Sequence, residues 1–216
     1  MKKVVLSLGI VFMLGTLAVS QFSFYPIDNF ENGKFAEGAK WWRFGDLKVE
    51  AVKNVYAEQP PDLIAESCGE YALQLKGQTN DWYVGGIGTE LGLDASSYSR
   101  FQIDVYGDNI WQGKLKVEFF EDDNGNYNIE QDPQNQYEPV FDDKWVVEIQ
   151  IQGEGYTRVS IPFSAFRDVN PKVGDDIWNP DQKNGSGGLQ KLQLVAISEN
   201  QKGMMNLRVD NLLLTY

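Results

Sequence analysis

Residues 100–108 read RFQIDVYGD, and apolar and polar side chains alternate along this stretch. The apolar positions are Phe101, Ile103 and Val105, and the positions between them are Gln102, Asp104 and Tyr106. Because successive side chains of a β-strand point to opposite faces, this alternation predicts a strand with one face in the core. The same rule predicts that the adjacent Trp41 and Trp42 point to opposite faces, one of them into the core.

The period-2 pattern returns in several stretches along the chain, each interrupted by turn residues. These stretches are YALQLKG (71–77), KLKVEFFEDDNGNYNIE (114–130), WVVEIQIQGEGYTRVSIPF (145–163), LQKLQLVAIS (189–198) and MNLRVDNLLLTY (205–216). Strands at this spacing predict an all-β fold, an antiparallel β-sandwich of the jelly-roll type. Asn124 and Gly125 predict a hairpin turn. The best helical candidate is a short turn at FSAFRD, residues 163–168.

The first twenty residues predict a secretory signal peptide. Two lysines precede a mostly apolar run from Val4 to Val19, and Ala18 and Ser20 occupy the small-residue positions of a cleavage site. Cleavage near Ser20 would leave residues 21–216, which are predicted to form a single β-sandwich domain. Short lysine-containing leaders of this kind are typical of bacteria, so the expected location is secreted or periplasmic.

The charge and residue content exclude several classes of function. With 31 acidic and 19 basic residues, the net charge is −12, which disfavours nucleic acid and anionic membranes because both need a basic surface. The chain has no His, which excludes Ser–His–Asp and Cys–His catalysis. The single Cys, Cys68, cannot form an internal disulfide. A non-enzyme is therefore expected, although a jelly-roll glycoside hydrolase or lyase stays open because it needs only two carboxylates.

Five motifs occur in an order that resembles a known superfamily. They are IDNFENG (27–33), YALQLKG (71–77) followed by WYVGG, LDASSYSRFQIDVYGD (93–108), YTRVSIPFSAFRD (156–168) and NLRVDNLLL (206–214). Together they resemble the galactose-binding-like β-sandwiches, and within these the carbohydrate-binding modules of the family-11 and complex-I-intermediate-associated type. The resemblance covers essentially all of residues 21–216.

The resemblance implies that the first and last strands lie together and hold a structural calcium ion. The matching metal candidates are Asp28, Glu31 and Asp210. Calcium takes six to eight oxygen ligands, so backbone carbonyls would complete the shell. The segment that begins at Asp122 is not an EF-hand loop, because Tyr127 and Pro133 stand where the motif needs Gly and Glu.

The resemblance also implies a carbohydrate ligand that lies across a concave sheet or a loop-lined edge. Aromatic rings stack on the C–H faces of sugars, and polar side chains bind the hydroxyl groups. The predicted ligand-binding residues are Trp82, Tyr83, Gln102, Asp104, Tyr106, Trp111, Glu118, Arg158 and Trp178. The predicted function is lectin-like, non-catalytic binding of a polysaccharide or other glycan. The alternative is a structural or envelope protein that uses the sandwich for assembly with itself or with an envelope partner.

Overall fold

A computed structural model of the chain describes residues 24–54, 69–79, 81–108, 113–151, 153–199 and 203–216. The predicted leader, Cys68 and Trp111 lie outside these ranges. The only helical segment of the described residues is the single 3₁₀ turn Phe163–Ala165, which confirms the short turn predicted there. No helix in these ranges has the length and apolarity that a membrane span requires.

The described strands form two antiparallel sheets and a small hairpin. Sheet 1 contains β1 (Tyr25–Asp28), β3 (Lys48–Lys53), β4 (Tyr71–Gln78), β6 (Arg100–Asp108), β11 (Glu154–Pro162) and β14 (Met204–Thr215). Sheet 2 contains β2 (Trp41–Gly45), β5 (Tyr83–Leu93), β7 (Gly113–Asp122), β10 (Asp143–Ile151), β12 (Arg167–Asp168) and β13 (Gly188–Ser198). The hairpin pairs β8 (Gln131–Asp132) with β9 (Glu138–Pro139). This architecture confirms the predicted antiparallel β-sandwich.

The order of strands across sheet 1 is β11-β6-β14-β4-β3, with β1 also paired to β14. The order across sheet 2 is β12-β10-β7-β13-β5-β2. The core lies between the sheets and contains the alternate residues of their strands, among them Phe101 and Ile103 from β6 and Phe119 from β7. The rings of Phe101 and Phe119 meet edge to face with centroids 5.5 Å apart. Each such buried side chain contributes about 1.5–3 kcal/mol of hydrophobic stabilisation.

The two ends of the described chain are adjacent, as the resemblance implies. β1 pairs antiparallel with β14, and Asp28 stands opposite Leu212 in the register. A register shift lies between Pro26 and Asp28. The prediction that the first and last strands lie together is therefore confirmed.

The prediction of a tight hairpin at Asn124-Gly125 is wrong. β7 and β10 do pair, but the connection between them is long and includes the β8–β9 hairpin. The carboxylate of Asp122 accepts the backbone N–H groups of Asn124 (3.0 Å) and Gly125 (2.8 Å), and also that of Tyr127. These hydrogen bonds fold residues 123–127 into a loop of their own, so the dipeptide does not close a two-residue turn.

Candidate ligand-binding cleft

A cleft of about 840 Å³ lies on the outer face of sheet 2. Its floor comes from β2, β5, β7, β10 and β13, and the β8–β9 hairpin contributes to its lining. The alternation of β7 explains the floor, because Leu115, Val117 and Phe119 enter the core. The intervening residues of that strand, Lys116, Glu118 and Phe120, therefore face the cleft. On β13 the cleft residues are Gln193, Val195 and Ile197.

Two glycines of β5 form a platform for aromatic rings on β2. Trp42 stands opposite Gly88, and Phe44 stands opposite Gly86. A Cβ atom on Gly88 would lie 2.3 Å from Cζ2 of Trp42, and one on Gly86 would lie 2.4 Å from Cζ of Phe44. Such approaches are too short for any side chain, so the rings lie against the bare backbone of β5. Trp41, by contrast, is 2% exposed and belongs to the core, as the opposite-face prediction requires.

Beside this aromatic platform the floor is charged. Glu118 is only 3% exposed, and its Oε1 lies 2.7 Å from Lys116 Nζ and 3.7 Å from Lys144 Nζ. Lys144 Nζ also lies 2.8 Å from Oε1 of Glu138 on β9. The ammonium group of Lys144 therefore links the buried carboxylate in the sheet to the hairpin that lines the cleft. It also lies over the Phe120 ring, 5.8 Å from the centroid.

Three exposed aromatic side chains complete the lining of the cleft. Trp82, Tyr83 and Tyr137 are 50%, 48% and 63% exposed, which is high for large aromatic residues. Burial of the phenol raises the pKa of Tyr83, and the carboxylates of Glu118 and Asp46 raise it further. The Tyr83 hydroxyl therefore keeps its proton at neutral pH and can donate a hydrogen bond.

The predicted ligand-binding residues do not form a single surface. Trp82, Tyr83 and Glu118 meet in the cleft of sheet 2. The other polar positions, Gln102, Asp104, Tyr106 and Arg158, belong to β6 and β11 of sheet 1. Because Phe101, Ile103 and Val105 enter the core, the alternate residues of β6 lie on the opposite outer face of the sandwich.

On that opposite face, three of the predicted residues contact other side chains of the protein. Nε of Arg158 donates a hydrogen bond to Oδ1 of Asp104 and Nη2 donates one to Oδ2, each at 2.8 Å. Tyr106 is 7% exposed, and its ring packs edge to face on Tyr156 at 5.1 Å. The guanidinium of Arg208 lies 4.7 Å from the centroid of the Tyr106 ring. The prediction that Asp104, Tyr106 and Arg158 share one ligand face with Glu118 is therefore corrected.

Trp178 also lies away from the cleft. Its ring packs 4.9 Å from that of Phe163 and 5.5 Å from that of Trp145, where it covers the core. The loop that carries it has no apolar periodicity, so the sequence contained no signal for this inward packing. The predicted ligand role of Trp111 cannot be placed, because Trp111 lies outside the described residues.

Several residues of the cleft were not among the predicted ligand-binding residues, namely Trp42, which was predicted only to lie on the face opposite Trp41, and Phe44, Gly86, Gly88 and Lys144. A signal for the platform was present in YVGGIGTELGL, where two glycines stand two residues apart inside a strand pattern. Glycine within a strand marks close approach of another group, and alternate glycines mark one face.

The three calcium candidates have different environments. Asp28 is already paired, because its Oδ2 lies 3.1 Å from Lys40 Nζ and accepts the indole N–H of Trp41 at 2.9 Å. The carboxylate of Glu31 accepts backbone N–H groups of Glu70 (2.9 Å) and Tyr71 (3.1 Å).

Asp210 differs from the other two candidates. It is fully buried, and its Oδ2 makes no hydrogen bond within the described part of the chain. Burial raises the pKa of this carboxyl to about 8. Asp210 therefore offers a buried, unpartnered oxygen to a cation, whereas both oxygens of Glu31 accept backbone N–H groups and Asp28 pairs with a lysine.

Similarity to known proteins is found in structure and not in sequence. No protein-family model matches the sequence, and no curated protein matches it. Among solved structures, the chain is similar to the family 11 carbohydrate-binding module of the cellulosomal cellulase Lic26A-Cel5E of Clostridium thermocellum. The identity is 16%, the match covers 91% of this chain and 96% of that one, and the TM-score is 0.52.

Two further structures show the same similarity. A family 11 module from Clostridium thermocellum, in complex with a β-1,3-1,4-mixed-linked tetrasaccharide, matches at 16% identity, covers 91% and 97% of the two chains and has a TM-score of 0.53. An exo-β-agarase matches at 10% identity and a TM-score of 0.53, over 89% of this chain and 25% of the agarase. The chain therefore has the same β-sandwich fold as these family 11 carbohydrate-binding modules.

Proposed function

We propose that this chain is an exported, non-catalytic protein that binds a polysaccharide in the cleft of sheet 2. The observation that carries the proposal is the aromatic platform, in which Trp42 and Phe44 lie against Gly88 and Gly86 beside a charged floor. An apolar ring face next to hydrogen-bonding groups is the combination that a sugar ring requires. The complex of a module of the same fold with a mixed-linkage tetrasaccharide supports a β-glucan as the first ligand to test.

The register of sheet 2 supports a ligand longer than one sugar. One row of paired residues crosses four strands, from Trp42 through Gly88 and Gln193 to Glu118. Neighbouring strands are about 4.8 Å apart, so this row extends for about 14 Å. Stacking groups stand at one end of the row, and the ion pair of Lys116 with the buried Glu118 stands at the other. A polysaccharide segment can therefore contact aromatic and polar groups at the same time.

The carboxylates of the cleft favour binding over hydrolysis. Glycoside hydrolysis needs one carboxyl group to act as an acid and a second to act as a base or nucleophile. Glu118 and Glu138 line the cleft, but both are paired with Lys144, and Glu118 is also paired with Lys116. Ammonium groups so close to both carboxylates hold them as ion pairs, which suits positioning of hydroxyl groups.

Exchange of Tyr137 tests the site against a matched position. Tyr127 is 60% exposed and lies outside the cleft lining, whereas Tyr137 is 63% exposed and belongs to it. Both have positive φ (62° and 59°), which Asn tolerates, so Tyr→Asn changes the backbone equally little at each. We expect Tyr137→Asn to weaken binding to mixed-linkage β-glucan about tenfold, or ~1.4 kcal/mol, and Tyr127→Asn to leave it unchanged. Affinity electrophoresis followed by calorimetry measures both.

A panel of xylan, galactan and agarose in the same gels identifies the preferred backbone. If the folded wild-type protein is retarded by none of these polysaccharides, the proposal is wrong. If the protein also forms concentration-dependent oligomers that glycans do not affect, the structural or envelope alternative takes its place. N-terminal sequencing of the exported protein, with Gln21 as the expected first residue, checks the leader.

Replacement of Gly88 by Ala tests whether the platform positions the Trp42 ring. The new Cβ would lie 2.3 Å from that ring, so the ring must leave its position. We expect an affinity loss of about tenfold with a small change in melting temperature, because Trp42 lies at the surface and can rotate away. In a Trp42→Ala background the same glycine exchange should cost no further affinity. A loss of equal size in both backgrounds would contradict the platform.

We also propose that calcium binds where the chain ends meet, through Asp210 and Glu31. The buried, unpaired Oδ2 of Asp210 supports this proposal, since a bound cation would compensate its charge. The ion would stabilise the pairing of β1 with β14. Asp210→Asn removes the charge of one ligand and should weaken calcium binding at this site.

A further inference from the structure

A pocket of aspartates lies at one end of sheet 2. Its members come from the end of β7, the start of β10, the strand β12 and the loop that follows β12. We call this set the acidic pocket, and it consists of Asp123, Asp143, Asp168, Asp175 and Asp176. The positions are spread over more than fifty residues of sequence, and pairing of β10 with β7 and β12 brings them together.

Asp143 is the centre of the acidic pocket. Its carboxylate oxygens lie in two groups whose ligand atoms are all within 4.8 Å of one another. One group joins Asp143 to Asp123 and Asp175, and the other joins it to Asp168 and Asp176. Two oxygens that are each about 2.4 Å from one calcium ion can be at most about 4.8 Å apart. The spacing of both groups is therefore compatible with a shared calcium ion.

A second, independent observation is that Asp143 is buried without partners. It is 0% exposed, and neither Oδ1 nor Oδ2 makes a hydrogen bond within the described residues. Oδ1 of Asp123 is buried and unpartnered in the same way. A buried ionised carboxylate without compensation is costly, so native structures pair it or use it to bind a metal.

No positive side chain of the described ranges supplies this compensation. The ion pairs of those ranges join other carboxylates, and none includes a member of the acidic pocket. Lys144 follows Asp143 directly, but it points to the opposite face of the strand, where it binds Glu118 and Glu138.

The backbone of the loop after β12 packs against the carboxylates of Asp123 and Asp143. A Cβ atom on Gly174 would lie 2.2 Å from Oδ2 of Asp123 and 2.3 Å from Oδ1 of Asp143. Only glycine allows this approach, and its φ of +78° also favours glycine. The loop therefore packs its backbone directly against both carboxylates.

We propose that the acidic pocket is a calcium site centred on Asp143, distinct from the site at the chain ends. An all-oxygen donor set with many carboxylates selects a hard cation. Calcium is favoured over magnesium because it accepts more carboxylates in irregular geometry, whereas magnesium retains water in a small octahedron. Bound calcium holds the loop that carries Asp175 and Asp176 against the end of β7 and the start of β10. The inference is independent of the glycan proposal.

The test is calcium titration of the full protein, after treatment with EDTA and dialysis, followed by calorimetry and thermal melting. We expect Asp143→Asn to weaken calcium binding at this site by at least about tenfold, because a ligand charge is lost. In EDTA the same variant should melt at a higher temperature than wild type, because an uncompensated buried charge is removed. Weaker calcium binding together with a higher melting temperature in EDTA identifies Asp143 as a metal ligand, because loss of a residue needed only for folding would lower the melting temperature.

Two variants serve as controls. Asp46→Asn removes the same charge from an exposed position and should change neither measurement. Asp210→Asn should leave the Asp143-dependent binding event in place. The proposal is overturned if calcium fails to raise the melting temperature of wild type. It is also overturned if Asp143→Asn binds calcium as wild type does, or if the entire calcium effect disappears with Asp210→Asn.

Discussion

In EDTA, the protein is expected to lose stability as the pH rises from 5 to 8. Five carboxyl groups, four of them fully buried and Asp123 partly buried, have raised pKa values, and burial is the largest cause for each. They are Glu121, at about 9, Asp210, at about 8, and Asp123, Asp142 and Asp143, each at about 7. In the unfolded chain such groups titrate near pH 4, so the folded state binds more protons than the unfolded state in this window.

The sign follows from this difference in bound protons. A carboxyl group with a raised pKa in the folded state does not lower the free energy of unfolding while the pH is below its unfolded pKa. Above that pH its destabilising effect grows, until the pH passes the folded pKa. One group with a folded pKa of about 7 lowers the free energy of unfolding by about 3 kcal/mol between pH 5 and pH 8. With several such groups the decrease should be at least this large.

Urea denaturation in EDTA at pH 5, 6, 7 and 8 measures the effect through the free energy of unfolding. The chain contains no His, so the side chain that ordinarily titrates in this window does not contribute. Asp143→Asn should flatten part of the slope, and the exposed variant Asp46→Asn should not. A free energy of unfolding that stays constant or increases between pH 5 and pH 8 contradicts this account of the buried carboxyls.

The sequence predicted the fold because the alternation of apolar residues is local. For example, Phe101 and Ile103 of RFQIDVYGD (β6) and Leu115 and Val117 of KLKVEFF (β7) lie in the core. The residues between them face away from it. The alternation says which side chains share one face of a strand, but it does not say which sheet the strand joins. β6 and β7 are consecutive, yet they belong to different sheets. For this reason Asp104 and Glu118 lie on opposite outer faces.

The cleft and the acidic pocket depend on long-range register, which single residues do not reveal. The glycines of β5 indicate a close approach but not its partner, because Trp42, which lies opposite Gly88, is 46 positions away in the sequence. Asp143 and Asp168 each look like an ordinary surface aspartate in a polar stretch. Their proximity requires the pairing of β10 with β12, whose two-residue strand is too short to show a period. The sequence therefore could not give the position of either site.

Replacement of Arg158 by Met should destabilise the protein by about 3 kcal/mol and leave glycan affinity unchanged. Asp104 is 2% exposed, and two hydrogen bonds of 2.8 Å from the guanidinium of Arg158 compensate its charge. Asn211 adds a third hydrogen bond, at 2.9 Å. Removal of one partner of a buried pair leaves an uncompensated charge and costs about 3–5 kcal/mol. The side chain of Arg158 is 32% exposed, which favours the lower end.

Asp210 increases this expected cost. The carboxylate of Asp104 already contributes to the raised pKa of Asp210, so loss of the guanidinium leaves two buried carboxyls close together. The double variant Arg158→Met with Asp104→Asn should recover most of the lost stability, because neither charge remains. Arg43→Met is the matched control. Arg43 pairs with Glu37 at 3.3 Å at an exposed position and donates a hydrogen bond of 2.9 Å to the backbone carbonyl of Leu47, so its loss should cost only about 1 kcal/mol.

The two readouts together decide which outer face of the sandwich binds the ligand. A structural ion pair predicts a lower urea midpoint, recovery in the double variant and an unchanged affinity for β-glucan. If Arg158 bound the glycan directly, its replacement would reduce affinity while the stability changed little. Asp104→Asn would then not restore binding. That outcome would transfer the ligand surface to sheet 1 and would leave the aromatic platform of sheet 2 without a ligand.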